Sequence, residues 1–277
     1  MTELFGKTLK SRLIASSCPV TENAASVLKL AEAGIGGAIL KSCADYFRSG
    51  NSGKRCFLKS DWGYYASSPF EREILTLDEE TALLKELRPQ TDIALIASFT
   101  SKTLDISDWM NPCEILLEAG ADAVQLDFFY MGNLLGDENF CKCFTKLLTR
   151  LSSLPIIPKI NINLPANFVM PLLKESGVEY VSLLDSVRVP PECDENGKAP
   201  NGIDPETCSL FGRWMLPLTV SYTHAAAKYG LKPISGGGIS CVKDVQWLFG
   251  MGAELVQSAS FLMKNSADWV KALCGVG

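Results

Sequence analysis

Lys232-Pro-Ile-Ser-Gly-Gly-Gly-Ile-Ser240 and its sequel Gly252-Ala-Glu-Leu-Val-Gln-Ser-Ala-Ser260 decide how the rest of the chain is read. The first reads as a short buried strand running into Gly236, Gly237 and Gly238. A helix follows from near Ser240, with Asp244 in its early turns. The sequel reads as a second apolar strand, Glu254–Gln257, ending in the small residues Ser258, Ala259 and Ser260. Glycines let backbone N–H groups approach an oxyanion closely, and a helix N-terminus adds a favourable dipole. Two such strand ends, late in the chain and about twenty residues apart, match the way a (β/α)₈ barrel holds a phosphate group. The plainer alternative is a glycine-rich turn that closes one strand–helix unit.

Working outward, the remainder of the chain repeats the same alternation. Arg12–Ser16 reads as a first strand, followed by a helical Glu22–Ala33 with Thr21 as N-cap. Gly36–Lys41, Asp92–Ser98, Ala123–Asp127, Ile156–Ile162 and Tyr180–Leu184 supply the second to sixth strands. Helical stretches are expected at Asp78–Leu87, Asp105–Ala119, Asn139–Leu151, Pro165–Ser176 and Pro205–Tyr229. Near-continuous apolar strands alternating with helices imply a parallel sheet buried on both faces. Eight of them imply closure into a single (β/α)₈ barrel domain over residues 1–277, with a doubly wound open sheet as the alternative. Three segments, Ser42–Leu77, Phe128–Glu138 and Asp185–Asp204, lack periodicity. At the C-terminal ends of barrel strands such loops build active sites, although a surface excursion remains the alternative.

Composition narrows the function classes. The chain has 277 residues, is 47% hydrophobic and carries a formal charge of −5, without a basic tract, which argues against nucleic acid as a partner. No apolar run reaches the ~20 residues needed to span a bilayer. The opening Met1-Thr-Glu-Leu-Phe-Gly-Lys lacks a basic segment followed by an apolar core, so a secretory signal is not expected. The 10 cysteines are scattered, with Cys141-Lys-Cys143 the tightest pair, and there is one histidine, His224. A metal centre would need tighter clusters, and unframed cysteines suit a reducing cytoplasm. The expected protein is cytoplasmic and acts on a small molecule; a homodimer stays open.

Strand C-termini face the mouth of a barrel. Read off the sequence, they bring together Ala15, Ser16, Lys41, Ser42, Ser98, Asp127, Lys159, Asp185, Ser186, Gly237, Gly238, Ala259 and Ser260. Lys41 and Lys159 stand out, because charge within apolar strands needs a reason. Lys41 alone could snorkel to the surface, whereas Lys159 lies between Pro158 and Ile160. Two chemistries use lysines there: a Schiff base with a carbonyl substrate, or a flavin whose phosphate tail is gripped by the glycines while a cation attends its ring. Spacing does not choose between them.

The residues resemble the class 1 dihydroorotate dehydrogenase family, including the flavin domain of dihydropyrimidine dehydrogenase. The likeness runs through Phe5-Gly-Lys-Thr-Leu-Lys10 with Leu13-Ile-Ala-Ser16, Ile39-Leu-Lys-Ser42, Pro158-Lys-Ile160, Phe211-Gly-Arg213, Gly237-Gly-Ile239 and Val256-Gln-Ser-Ala-Ser260. It covers nearly the whole chain, with Ala259-Ser260 where the family usually has Gly-Thr. The resemblance implies non-covalent FMN and hydride transfer between flavin N5 and a carbon–carbon bond of a dihydropyrimidine-like ring. Ala15, Ser16, Lys41, Ser42, Ser98, Asp127, Lys159, Ser186, Gly212, Gly237, Gly238, Ala259 and Ser260 would then surround the cofactor.

The substrate side departs from the family. After the fourth strand the family has Asn-x-Ser-Cys-Pro-Asn or its serine version, with the Cys or Ser as base. Here the stretch is Asp127-Phe-Phe-Tyr-Met-Gly132. Ionised Asp127 only accepts hydrogen bonds, where Asn also donates. Tyr130, at the base position, is a poor base at neutral pH but can donate a proton. Tyr130 and Lys41 are therefore the catalytic candidates, while Cys141, Cys143 and His224 are not expected to replace the base. The leading expectation is an FMN oxidoreductase; a flavin-binding protein without dihydroorotate dehydrogenase activity and a Schiff-base lyase are the alternatives.

Overall fold

The computed structural model describes residues 2–45, 56–61, 63–67, 74–128, 139–184, 186–200, 203, 208–260, 262, 270–271 and 274–275. Eight parallel strands within them close into a barrel: β1 (Leu13–Ala15), β2 (Gly37–Ile39), β3 (Ala94–Thr100), β4 (Ala123–Asp127), β5 (Ile156–Lys159), β6 (Tyr180–Leu183), β7 (Lys232–Ser235) and β8 (Leu255–Ser258). Closure is made by β8 against β1, where Val256, Gln257 and Ser258 lie opposite Leu13, Ile14 and Ala15. Helices return the chain between strands: α1 (Ala24–Glu32), α2 (Leu77–Leu87), α3 (Ser107–Glu118), α4 (Phe140–Leu151), α5 (Ala166–Glu175), α6 (Leu216–Lys228) and α7 (Val242–Gly250). None of the described helices is long and apolar enough to cross a membrane.

Sequence determines the helix starts through side-chain caps. Thr76 accepts the Glu79 N–H at 3.2 Å while Glu79 Oε2 accepts the Thr76 N–H at 2.8 Å, a reciprocal box that begins α2. The cap of α1 is Asn23, whose Oδ1 accepts the Ser26 N–H at 3.0 Å, and not Thr21 as expected. Thr21 is instead buried in the preceding 3₁₀ turn, where its Oγ1 accepts the Cys18 N–H at 3.1 Å.

Inside the barrel, Ile14, Ile39, Ala94, Ile96, Ala123, Ile157, Tyr180, Ile234 and Leu255 form one apolar cluster at the N-terminal half of the strands. A hairpin, Glu3–Leu4 against Lys7–Thr8, plugs that end with Leu4, which is fully buried. Tyr180 Oη donates to the Glu3 carbonyl at 3.0 Å and fastens the plug from within. Full burial of a leucine contributes about 1.5–3 kcal/mol.

The opposite end carries the insertions, and here the structure corrects the sequence reading. The Ser42–Leu77 and Asp185–Asp204 segments are not featureless. Cys56–Lys59, Tyr64–Ser67, Val187–Arg188 and Ser209–Phe211 pair into a four-stranded antiparallel sheet with its own small core of Tyr65, Ala199, Ile203 and Cys208. Ser209–Phe211 falls within the expected Pro205–Tyr229 helix, which begins only at Leu216. Cross-strand pairing of Leu210 and Phe211 with Tyr65 and Tyr64 outweighs local helix preference. The fifth strand stops at Lys159, short of the expected Ile162, because the chain turns at Asn161. That turn is marked by Leu164 N–H donating to the Asn161 carbonyl at 3.0 Å.

Candidate functional site

Side chains alternate between the two faces of a strand, so the apolar interior predicts which residues above it also point inward. On β3, β4, β5, β6 and β8 the next inward positions are Ser98, Gln125, Lys159, Ser182 and Gln257, all buried. Gln125 Nε2 donates to Ser98 Oγ at 2.9 Å, and Gln257 Nε2 donates to Ser182 Oγ at 2.8 Å. The Oε1 atoms of both glutamines have no hydrogen-bond partner among the described residues. Sequence reading passed over Gln125, Ser182 and Gln257. Their signal was a polar residue two positions along from an inward apolar one, in strands otherwise read as uniformly apolar.

Above this layer lies an ion pair. Asp127 and Lys159 occupy opposed positions on β4 and β5, with Lys159 Nζ 3.1 Å from Asp127 Oδ2 and side chains 6% and 1% exposed. Ser42 Oγ donates to the same carboxylate oxygen at 2.9 Å and lies 3.0 Å from Ser98 Oγ. Ser17 Oγ accepts the Ser42 N–H at 3.0 Å and completes the chain of contacts. Four expected site residues, Ser42, Ser98, Asp127 and Lys159, thus share one buried network. A buried carboxylate is tolerable only with such partners.

Lys41 lies just past the end of β2, with its N–H donating to the Thr21 carbonyl at 3.2 Å. Its ammonium acts on Glu80, a fully buried acid within the expected Asp78–Leu87 helix. Glu80 Oε1 accepts the Ser98 N–H at 2.8 Å. Burial pushes the Glu80 carboxyl up to about 8, against the smaller downward pull of the Cys43 thiol, the Ser98 amide and Lys41.

The glycine stretch lies at the ends of β7 and β8. Gly237 and Gly238 have φ of +95° and +85°, a region that disfavours any side chain. A Cβ on Gly238 would sit 2.4 Å from the Leu216 nitrogen, so the helix α6 start packs directly on this backbone. Thr219 Oγ1 lies 2.9 Å from both the Gly236 and Gly237 carbonyl oxygens and fixes the turn from the same helix. The N–H groups of Gly237, Gly238 and Ala259 donate to no acceptor among the described residues.

Just ahead of α7, Asp244 Oδ2 accepts Ser240 N–H at 2.8 Å, Ser240 Oγ–H at 2.9 Å and Cys241 N–H at 3.1 Å, so these two amides are already engaged. Arg213 Nη1 donates to the same oxygen at 2.7 Å and also to Ser240 Oγ. Burial raises the Asp244 pKa, but Arg213 and these donors outweigh it and hold the carboxyl below its ordinary value.

The other expected residues divide. Ala15 is buried opposite Ser258, and Ser16 N–H donates to the Ser258 carbonyl at 2.9 Å, so both lie beside Ala259 and Ser260. The Ser186 carbonyl accepts from Asn161 Nδ2 at 2.7 Å, which ties it to the end of β5. Gly212, with φ of +146°, packs against Gly63, beside the Tyr64–Ser67 strand of the outer sheet. Tyr130 lies outside the described residues. Cys143 and His224 are exposed, and Cys141 is half-buried. A cleft of about 870 Å³ opens elsewhere, lined by Leu58, Tyr65, Cys193 and Ala199 of the outer sheet and not by strand ends.

No protein-family model and no curated protein matches the chain. The site therefore stands on its own residues.

Proposed function

We propose that the chain is an FMN-dependent oxidoreductase of the dihydroorotate dehydrogenase type, acting on a carbon–carbon bond of a small dihydropyrimidine-like substrate. The observation that carries this reading is the set of N–H groups at Gly237, Gly238 and Ala259 that meet no acceptor among the described residues, with positive φ at Gly237 and Gly238 and the packed α6 start leaving no room for a side chain at Gly238. Backbone amides at adjacent strand ends suit the acceptor oxygens of a phosphate monoester. Gly237, Gly238, Ala259 and Ser260 would hold that phosphate, and Lys159 with Lys41 would attend the ring. FMN, when bound, supplies hydride transfer at N5.

The chain's own residues orient and exclude. Asp127 and Ser42 fix the Lys159 ammonium in one place, 3.1 Å from the carboxylate. The Gln125 and Gln257 layer closes the interior beneath, so the chemistry is confined to the mouth. Tyr130, at the sequence position of the family's base, is assigned the proton in the reducing direction. The free cysteines support a reducing, cytoplasmic setting. The Schiff-base reading needs a free amine at Lys159 or Lys41, whereas Lys159 sits in an ion pair and the Lys41 ammonium acts on the buried Glu80.

A second reading is favoured by Asp127 itself. Where the family carries an amide that donates, this carboxylate only accepts, and Lys159 and Ser42 already engage it. A flavin-binding protein without dihydroorotate dehydrogenase activity would have such a mouth. Anaerobic mixing with dihydroorotate and related dihydropyrimidines separates the two: bleaching of the bound flavin supports the oxidoreductase, and a flavin that stays oxidised throughout supports the second reading. A colourless protein that takes up no FMN rejects both.

A further inference from the structure

Glu80 is fully buried, and nothing in the proposed chemistry uses it. It lies on α2 in the stripe Glu80, Leu83, Leu84 and Leu87, all buried, so an acid holds a core position. The reason is a gap in the barrel wall. Leu40 N–H donates to the Ile96 carbonyl at 2.8 Å, and the chain then leaves β3 until Cys43 pairs with Phe99. The Ser98 N–H falls between these rungs, and Glu80 Oε1 accepts it at 2.8 Å.

We propose that Glu80 is a positioning residue for the barrel mouth: its carboxyl replaces the missing rung at Ser98 and so sets the Ser42–Asp127–Lys159 network. Ser98 is the link, since its Oγ lies 3.0 Å from Ser42 Oγ, which donates to Asp127 at 2.9 Å. The groups facing Glu80 are the Cys43 thiol from the short strand beside β3, the Lys41 ammonium past β2 and the Ser98 amide of β3. The Cys113 thiol of α3 acts from behind Cys43. Burial keeps both thiols protonated at neutral pH, so Cys43 cannot supply a competing charge. Glu80 Oε2 has no hydrogen-bond partner among the described residues, which makes an ionised carboxylate costly there. When Glu80 does ionise, it gains an attraction for Lys41 and a stronger hold on the Ser98 amide. Both changes are felt at the mouth.

The inference concerns the barrel wall and does not depend on a flavin. It is tested on the full chain as purified by following the carboxyl carbon NMR shifts of Asp127 and Glu80 against pH, in wild type and Glu80→Gln. The glutamine keeps the size of the side chain and an acceptor for Ser98. The expected result is a step in the Asp127 signal with a midpoint of about 8, shared with Glu80 and absent in the variant. A purely structural Glu80 would leave the Asp127 signal flat across that range in wild type, and this overturns the proposal, as does a step that survives in Glu80→Gln. Should the variant fail to fold, the wild-type Glu80 signal decides: a carboxylate already formed at neutral pH rejects the inference.

Discussion

Removing Asp127 should expose how much of the barrel mouth rests on one ion pair. At 3.1 Å and an effective dielectric of about 20, the attraction between Lys159 and Asp127 is about 5 kcal/mol. Desolvation of both groups offsets much of this in the intact protein, so the pair as a whole adds little net stability. The balance changes when one partner goes. Asp127→Ala leaves a buried ammonium and a Ser42 hydroxyl without their acceptor, for which the usual cost is about 3–5 kcal/mol. Urea denaturation of Asp127→Ala, Lys159→Met and the double variant measures this directly. Each single change should lower stability by that amount, and the double variant should lose at least about 2 kcal/mol less than the sum of the two. Single variants within about 0.5 kcal/mol of wild type, or strictly additive effects, would refute the buried pair.

Three further outcomes are expected. Gly238→Ala forces a side chain into φ of +85° and against the Leu216 nitrogen, so stability should fall by about 1–3 kcal/mol and FMN affinity at least tenfold, as read by thermal melting and fluorescence titration. Stability should decline as pH rises from the ordinary carboxyl value of 4.5 towards about 8, because folded Glu80 retains a proton that the unfolded chain has lost. The loss from this group is at most about 5 kcal/mol, is complete above its folded pKa and should vanish in Glu80→Gln. Arg213→Ala should cost less than about 1 kcal/mol at neutral pH, since the guanidinium is 61% exposed. Asp244 has a lowered folded pKa, so the stability it contributes is lost as pH falls, and acid unfolding of the Arg213 variant should begin at a higher pH than in wild type.

The barrel was legible because its strands are largely apolar and separated by helices of ordinary length. Ala123–Asp127 and Tyr180–Leu183 agree with their expected bounds to within one residue. The outer sheet was not legible. Its strands run two to four residues, and Phe211 acquires strand character from a partner, Tyr64, more than a hundred positions away. At the mouth, Asp127 and Lys159 could be singled out as charges in apolar strands, but their pairing depends on the β4–β5 register, which spacing alone does not give. Glu80 was missed for a different reason. Asp78, Glu79 and Glu80 look alike as an acidic first turn, yet only Glu80 shares the spacing of Leu83, Leu84 and Leu87. That periodicity was present in the sequence and pointed inward.

The most direct measurement is an equilibrium titration of the purified chain with FMN, followed by the visible spectrum and repeated with riboflavin, which lacks the phosphate. If the amides of Gly237, Gly238 and Ala259 receive a phosphate, FMN should bind stoichiometrically with a shifted, structured absorption band. Riboflavin should then bind at least a hundredfold more weakly. Equal affinity for the two, or no binding of either, would contradict the account at its centre.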